Sequence, residues 1–187
     1  MDNFNEFNNT IKNRNFLSTL GFKFTITRAP KVAYFSNNAN IPDLTLGVVN
    51  QPNYLTDIPV PGDKIEFADF SLRFLVDENL ENYMEIQNWM RGLGFPETLQ
   101  QIYDLQDTKS KFENPPKSQM NIYSDGTLVV YNSNQNYNFE VRFKSLFPYK
   151  LSSLQFDSTT PDNQYFTADV TFKYMMYNIV GKNGQSL

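Results

Sequence analysis

Tyr137-Asn138-Phe139-Glu140-Val141-Arg142-Phe143-Lys144-Ser145 alternates without a break. Phe139, Val141 and Phe143 share one parity; Asn138, Glu140, Arg142 and Lys144 share the other. Successive side chains of a strand point to opposite faces, so a period of two predicts a strand with one buried face and one wet face. The pattern returns over residues 164–177, where Phe166, Ala168, Val170, Phe172 and Tyr174 alternate with Thr167, Asp169, Thr171 and Lys173. It also occurs near the start, with Phe22, Phe24 and Ile26 set against Lys23, Thr25 and Thr27. These runs predict a mainly β protein.

Between them the period breaks and changes. Residues 32–35 read as a short strand set off by Pro30. Residues 41–62 carry Pro42, Pro52, Pro59 and Pro61 and no clean alternation, which predicts a long loop or an irregular edge hairpin, with Pro61-Gly62 as a type II turn. Residues 64–76 read as one long strand whose parity switches at Ala68-Asp69, the mark of a β-bulge. Leu80, Tyr83, Ile86, Met90 and Leu93 then recur at helical spacing. Asp77 suits the N-cap of that helix, Glu78 and Glu81 its first turn, and Gly92 its stop. Residues 96–116 read as loop, with a helical turn near 99–105. Met120, Ile122, Leu128 and Val130 flank Asp125-Gly126, the residue pair of a type I′ hairpin turn. The expected organisation is a polar arm over 1–16 and one domain over 17–187, carrying a Pro-rich loop (41–62) and a polar insert (96–118).

Composition narrows the function. The chain has 187 residues, enough to bury a real core. Aromatics reach 16% through 17 Phe and 11 Tyr, and 23 Asn make much of the polar surface uncharged amide. Charged residues are 19%, against roughly 25% in an ordinary soluble domain. With no Cys and no His, disulfide frameworks, zinc–thiolate sites, cysteine nucleophiles and Ser-His-Asp chemistry are excluded. A net charge of −4 argues against general nucleic-acid binding, which needs a basic face. No apolar run approaches the roughly 20 residues of a membrane span. The Asn-rich start lacks the apolar core of a signal peptide, so a cytoplasmic origin is expected, and the Asn8-Asn9-Thr10 triplet carries no glycosylation meaning.

Each candidate for chemistry has a plainer explanation. Gly92-Leu93-Gly94 and Pro61-Gly62 lack the lysine and context of a phosphate loop. Asp77, Glu78 and Glu81 fit no calcium-loop pattern. Glu66 with Asp69, or Glu140 with Asp169, could pair as glycosidase carboxylates, but all four read as polar-face strand residues. Trp89 and Tyr83 read as core or interface, not as a ligand platform. No enzyme, metal or cofactor is expected. A solvated sheet face is the simplest reading of the wet parities, yet strands this long exceed the usual five or six residues, and such sheets avoid exposed edges by continuing into neighbouring subunits.

The run Phe139 to Pro148, followed by Leu151, Leu154 and Phe156-Asp157, and then by Thr171-Phe172-Lys173-Tyr174, resembles the tail tube proteins of contractile-tailed, T-even-like phages. Ile58-Pro59-Val60-Pro61-Gly62-Asp63 ahead of a long strand, and Asp77-Glu78 ahead of a Trp-bearing helix, resemble that family too, so the likeness spans roughly residues 17–178. The resemblance implies a small β-barrel or sandwich with one flanking α-helix, related to the inner tubes of type VI secretion. Six copies would join their strands into a larger ring barrel, and rings would stack into a tube within the virion tail, assembled in the host cytoplasm. Implied partners are the chain itself, the tail sheath protein, and baseplate and tape-measure proteins, with DNA only as passing cargo and no membrane anchoring. The insert near 106–117 and the Asn-rich arm depart from a compact tube subunit, and baseplate-proximal tube initiators share the fold. A receptor- or carbohydrate-binding β-sandwich is the alternative from a different class. In a closed tube the wet parities would line the lumen: Asn138, Glu140, Arg142, Lys144, Thr167, Asp169, Thr171 and Lys173. Tyr54, Leu55, Ile58 and Val60 of the Pro-rich segment need covering, and contact with an adjacent subunit or the next ring would cover them.

Overall fold

In the computed structural model, which describes residues 16–19, 21–94, 96–98, 101, 122–156 and 165–185, the longest alternating stretch is the spine. Strand β7 (Tyr137–Leu151) runs antiparallel to β8 (Thr167–Lys173) and β9 (Met176–Gly181), which follow one another along its length. The first half of β7 pairs with β9 and also with β6 (Ser124–Tyr131), which pairs with β1 (Phe22–Ile26). The second half of β7 pairs with β8, which continues through β5 (Phe70–Leu75) to β2 (Ser36–Ala39).

The spine folds over at its middle. Val141 and Phe143 are buried and then Leu146, so the inward parity changes across Ser145. Ser145 sits at φ 56, and its amide donates to Asp125 Oδ1 at 3.1 Å. On the facing strand the inward parity changes between Phe172 and Tyr177. An extra residue in a strand bends it and re-aims its faces. Two such irregularities at one level let a single strand pair serve two layers. One layer is β1, β6, the first half of β7 and β9; the other is the second half of β7, β8, β5 and β2.

The core lies between them. The Phe70 ring of β5 sits 5.1 Å from Phe24 and 4.5 Å from Phe143 in the facing layer, and 6.0 Å from Phe172 beside it. Helix α2 (Glu81–Gly94) adds Ile86 and Trp89, whose indole N–H donates to the Ile122 carbonyl at 3.0 Å. Asn82 is fully buried: its Nδ2 donates to the Leu75 carbonyl at 2.7 Å, and its Oδ1 accepts from the Asp77 amide at 3.2 Å. That side chain ties the helix start to the end of β5.

Several expected elements are corrected. Residues 32–34 belong to helix α1 (Pro30–Tyr34) and Phe35 is its C-cap, because Pro30 suits a first helical turn, and the strand falls just after it. The expected strand over 64–76 is two strands in different sheets: β4 (Ile58–Phe67) pairs with β3 (Leu44–Gln51), while β5 lies in the core. Asp125-Gly126 is not a turn but part of β6, where Gly126 makes room for a ring: a Cβ there would lie 3.1 Å from Phe24 Cζ. The β6–β7 turn is at Asn132, whose Oδ1 accepts from the amides of Asn134 and Asn136, each at 3.0 Å. Asp77 orders the turn before the helix and does not cap it; its carbonyl accepts from the Leu80 amide at 2.9 Å, and the helix begins at Glu81. The last strand breaks after Lys173 and resumes to Gly181. The polar arm up to residue 15, Met120 and most of the insert lie outside the described residues.

Candidate functional site

The Pro-rich segment forms a hairpin that stands apart from the core. Among the described residues β3 and β4 pair only with each other. All of β3 is exposed, and in β4 all but Gly62 and Phe67. Pro59 and Pro61 are tolerated because β4 is an edge strand, paired with β3 on one side and with no described strand on the other. Pro61-Gly62 is not a turn here. A Cβ on Gly62 would come within 2.7 Å of the Gly47 carbonyl, so the glycine allows the two strands to close where the register shifts. Leu46, Val48, Val49 and Ile65 are exposed along the arm, and Tyr54 and Leu55 at its tip are 97% and 88% exposed. Two-stranded hairpins are marginal in water, and exposed apolar side chains gather along this one. Tyr54, Leu55, Ile58 and Val60, the expected contact residues, all lie on it.

The base of the hairpin is held firmly. The Tyr174 hydroxyl donates to the Ala68 carbonyl at 2.7 Å, and the Tyr177 hydroxyl to the Pro42 carbonyl at 3.2 Å. The Ala68 amide donates to the Asp43 carbonyl at 3.0 Å, closing the two legs. Asp69 accepts hydrogen bonds from Lys173 and from the Tyr149 hydroxyl, whose ring also faces the Lys173 ammonium. The Lys173 and Tyr149 contacts hold the Asp69 carboxyl below its usual range, while the same contact raises Lys173. Burial pushes the Tyr174 phenol up to about 12, keeping it a donor well into alkali.

A carboxylate with a depressed folded pKa contributes stability above its unfolded value and loses it as pH falls through the folded value. Wild type should therefore exceed Asp69→Asn in urea midpoint by a constant margin between about pH 5 and 8, and the margin should shrink below about pH 4. A margin that does not change down to about pH 2 would remove Asp69 from the clamp's charge balance.

The eight wet-face residues fall into two groups. Asn138, Glu140, Arg142 and Lys144 lie on the outward face of the β1–β6–β7–β9 layer, where Arg142 pairs with Glu140. Thr167, Asp169, Thr171 and Lys173 lie on the outward face of the other layer, where Arg73 grips Asp169 through Nε at 2.7 Å and Nη2 at 3.2 Å. Because the aromatic core separates the layers, the two groups face in different directions. Glu140 and Asp169 are thus in different layers, each on its own arginine, and Glu66 is exposed on the hairpin while Asp69 serves its base. Trp89 is core, and the Tyr83 hydroxyl donates to the Ser152 carbonyl at 3.1 Å. Tyr174 and Tyr177 were not singled out from the sequence; the signal was the failure of alternation at Met175-Met176.

The first layer has two open sides. β1 pairs only with β6, and β9 only with β7, so both outer edges present unpaired backbone groups among the described residues. Such edges template further pairing.

The fold is mainly β, with two antiparallel layers, a flanking helix, a projecting apolar hairpin and a first layer whose outer edges are free among the described residues. The chain belongs to the phage tail tube protein family, which it matches over residues 3–180. Among solved structures it is similar to a chain of an extracellular contractile injection system, the PVC sheath-tube complex in its extended state, at 14% identity and TM-score 0.55, over 90% of this chain and 93% of that one. It is also similar to a chain of the cap that terminates the tube of the anti-feeding prophage, at 14% identity and TM-score 0.56, over 92% and 95%. A chain of the anti-feeding prophage baseplate matches at 11% identity and TM-score 0.52, over 89% and 97%. No curated protein sequence matches. The chain is a structural subunit of the tail-tube class, and no described helix is long and apolar enough to cross a membrane.

Proposed function

We propose that copies of this chain join side by side through β9 and β1 into closed, sixfold rings, and that the rings stack through the hairpins into a tube that conducts DNA inside a sheath. The observation that carries this reading is the four-stranded layer whose two edges are free among the described residues. Its strands alternate in direction, so β9 of one copy meets β1 of the next antiparallel under simple rotation, and the joint repeats the pairing already inside each subunit. Sixfold symmetry is that of the anti-feeding prophage baseplate.

The bulk of the subunit lies on the core side of this layer and has room only outside the ring. The outward face, with Asn138, Glu140, Arg142 and Lys144, then lines the lumen. Lys23, Arg142 and Lys144 stand against Asp125 and Glu140 there, with Thr127, Val129, Met176, Asn178 and Val180 on the same face by register, a nearly balanced wall on which DNA finds no strong hold. Thr167, Asp169, Thr171 and Lys173 face away from it, toward the hairpin base and neighbouring subunits or the sheath. Baseplate and tape-measure proteins complete the partners, in the virion tail assembled in the host cytoplasm.

Electron microscopy of the concentrated chain tests this directly. Rings or tubes with the four-stranded layer at the inner wall are expected. A monodisperse monomer at every concentration, or an inner wall built from β8 and β5, would overturn it.

A further inference from the structure

The hairpin and the edge strand β9 meet at one place, the corner where β8 ends and β9 begins. Tyr174 and Tyr177 stand on either side of that corner and hold opposite legs of the hairpin, at Ala68 and Pro42. The Phe67 ring, last in β4, packs edge-on against both, at 6.1 Å and 5.5 Å. Both tyrosines in turn rest on Phe143 of the core, at 5.2 Å and 5.9 Å. Asp69, two residues past β4, adds its contacts with Lys173 and Tyr149 at the same base, while all of β3 and all of β4 but Gly62 and Phe67 are exposed.

The mechanical demand is severe. Ten residues of β4 at about 3.3 Å each make an arm about 30 Å long, whose tip moves about 5 Å for a swing of about 10°. That is a whole strand spacing, enough to miss a docking site. A single contact at the base would leave a pivot, whereas two separated contacts remove it.

We propose that Tyr174 and Tyr177 form a two-point clamp that aims the hairpin relative to edge strand β9, so that joining edges within a ring and docking the hairpin on the next copy reinforce each other. The inference rests on the assembly reading above and adds positioning residues to it. A β9 locked into a neighbour's sheet fixes Tyr177, Tyr177 fixes the Pro42 leg, and the arm is already aimed when the next copy arrives. Conversely, a docked hairpin holds β9 in the geometry that accepts β1.

The chain has no cysteine, so Asn53→Cys at the hairpin tip and Asn134→Cys in the β6–β7 turn, both exposed positions, take spin labels at chosen sites. In the dilute protein the label-to-label distance distribution should be narrow, and in the Tyr174→Phe, Tyr177→Phe double variant at least twice as wide. Phenylalanine keeps both rings on Phe67 and Phe143; if the double variant unfolds, Tyr177→Phe alone carries the measurement. In concentrated samples without labels, the double variant should form rings as wild type does but need at least tenfold more protein to form tubes. Equal widths, or tubes at the wild-type concentration, would overturn the clamp. Wild type forming neither rings nor tubes would refute the assembly reading instead, and the distance widths would still decide whether the hairpin is clamped.

Discussion

Replacing Phe70 with alanine should destabilise the chain by about 3–5 kcal/mol in urea titration, a large part of the 5–15 kcal/mol that holds an ordinary domain. Phe70 is fully buried at the start of β5 and touches three rings from both layers. Truncation removes the transfer energy of a benzyl group and leaves a void that Phe24, Phe143 and Phe172 cannot close without leaving their strands. The tilted ring pairs lost add about 0.5–1.5 kcal/mol each beyond area burial. Tyr34→Ala is the matched control: its side chain is 84% exposed, and its loss should stay within about 0.5 kcal/mol. A Phe70→Ala variant within about 1 kcal/mol of wild type would mean that the layers close over the gap, and that the core is not organised around this ring.

The parts of the fold legible in the sequence are those where burial follows a simple period. Phe24 and Ile26, Phe70 to Phe74, Val141 and Phe143, and Ala168 to Phe172 all point inward as their parity predicts. The helix over Glu81–Gly94 followed from its three- and four-residue spacing. What escaped was decided by contacts between distant segments. Gly126 reads locally as a turn glycine, and only the Phe24 ring from β1 explains it as a strand residue. Ser145 offers no local reason to adopt φ 56; the reason is Asp125, twenty residues earlier, which takes the amide freed by the bend. Pro30 was read as a strand boundary when it was a helix start, because four residues of pattern cannot separate the two. The candidate site shows the same division. Exposed apolar residues in a Pro-rich segment pointed to the hairpin as a contact surface, but its anchoring on Tyr174 and Tyr177 depends on pairings more than a hundred residues apart. The two wet parities looked equivalent because a strand pattern does not record which layer the strand joins.

Shortening the hairpin should abolish tubes while leaving the subunit folded. Replacing residues 52–57 with Asn-Gly would join Gln51 to Ile58, which already face each other, through the two-residue turn that suits twisted strands. The change removes Tyr54 and Leu55, the most exposed large apolar side chains of the arm, and touches nothing in the core. The urea midpoint should therefore stay where it is, or rise slightly as apolar surface leaves the water. Assembly should respond very differently. A tyrosine anchor in an interface contributes about 2 kcal/mol or more, and with a neighbouring leucine the loss per docked hairpin is about 3–4 kcal/mol. That is a several-hundredfold weaker contact, repeated at every subunit of a ring. The proposed edge joining would use backbone groups of β1 and β9, which the change leaves alone, so single rings should persist at wild-type concentrations. Sedimentation and negative-stain images separate the outcomes: rings without tubes fit a hairpin that links one ring to the next. Tubes of normal length would show that stacking depends on another surface. Loss of rings as well would place the hairpin tip within the lateral contact, reaching the neighbour beside it instead of the ring above.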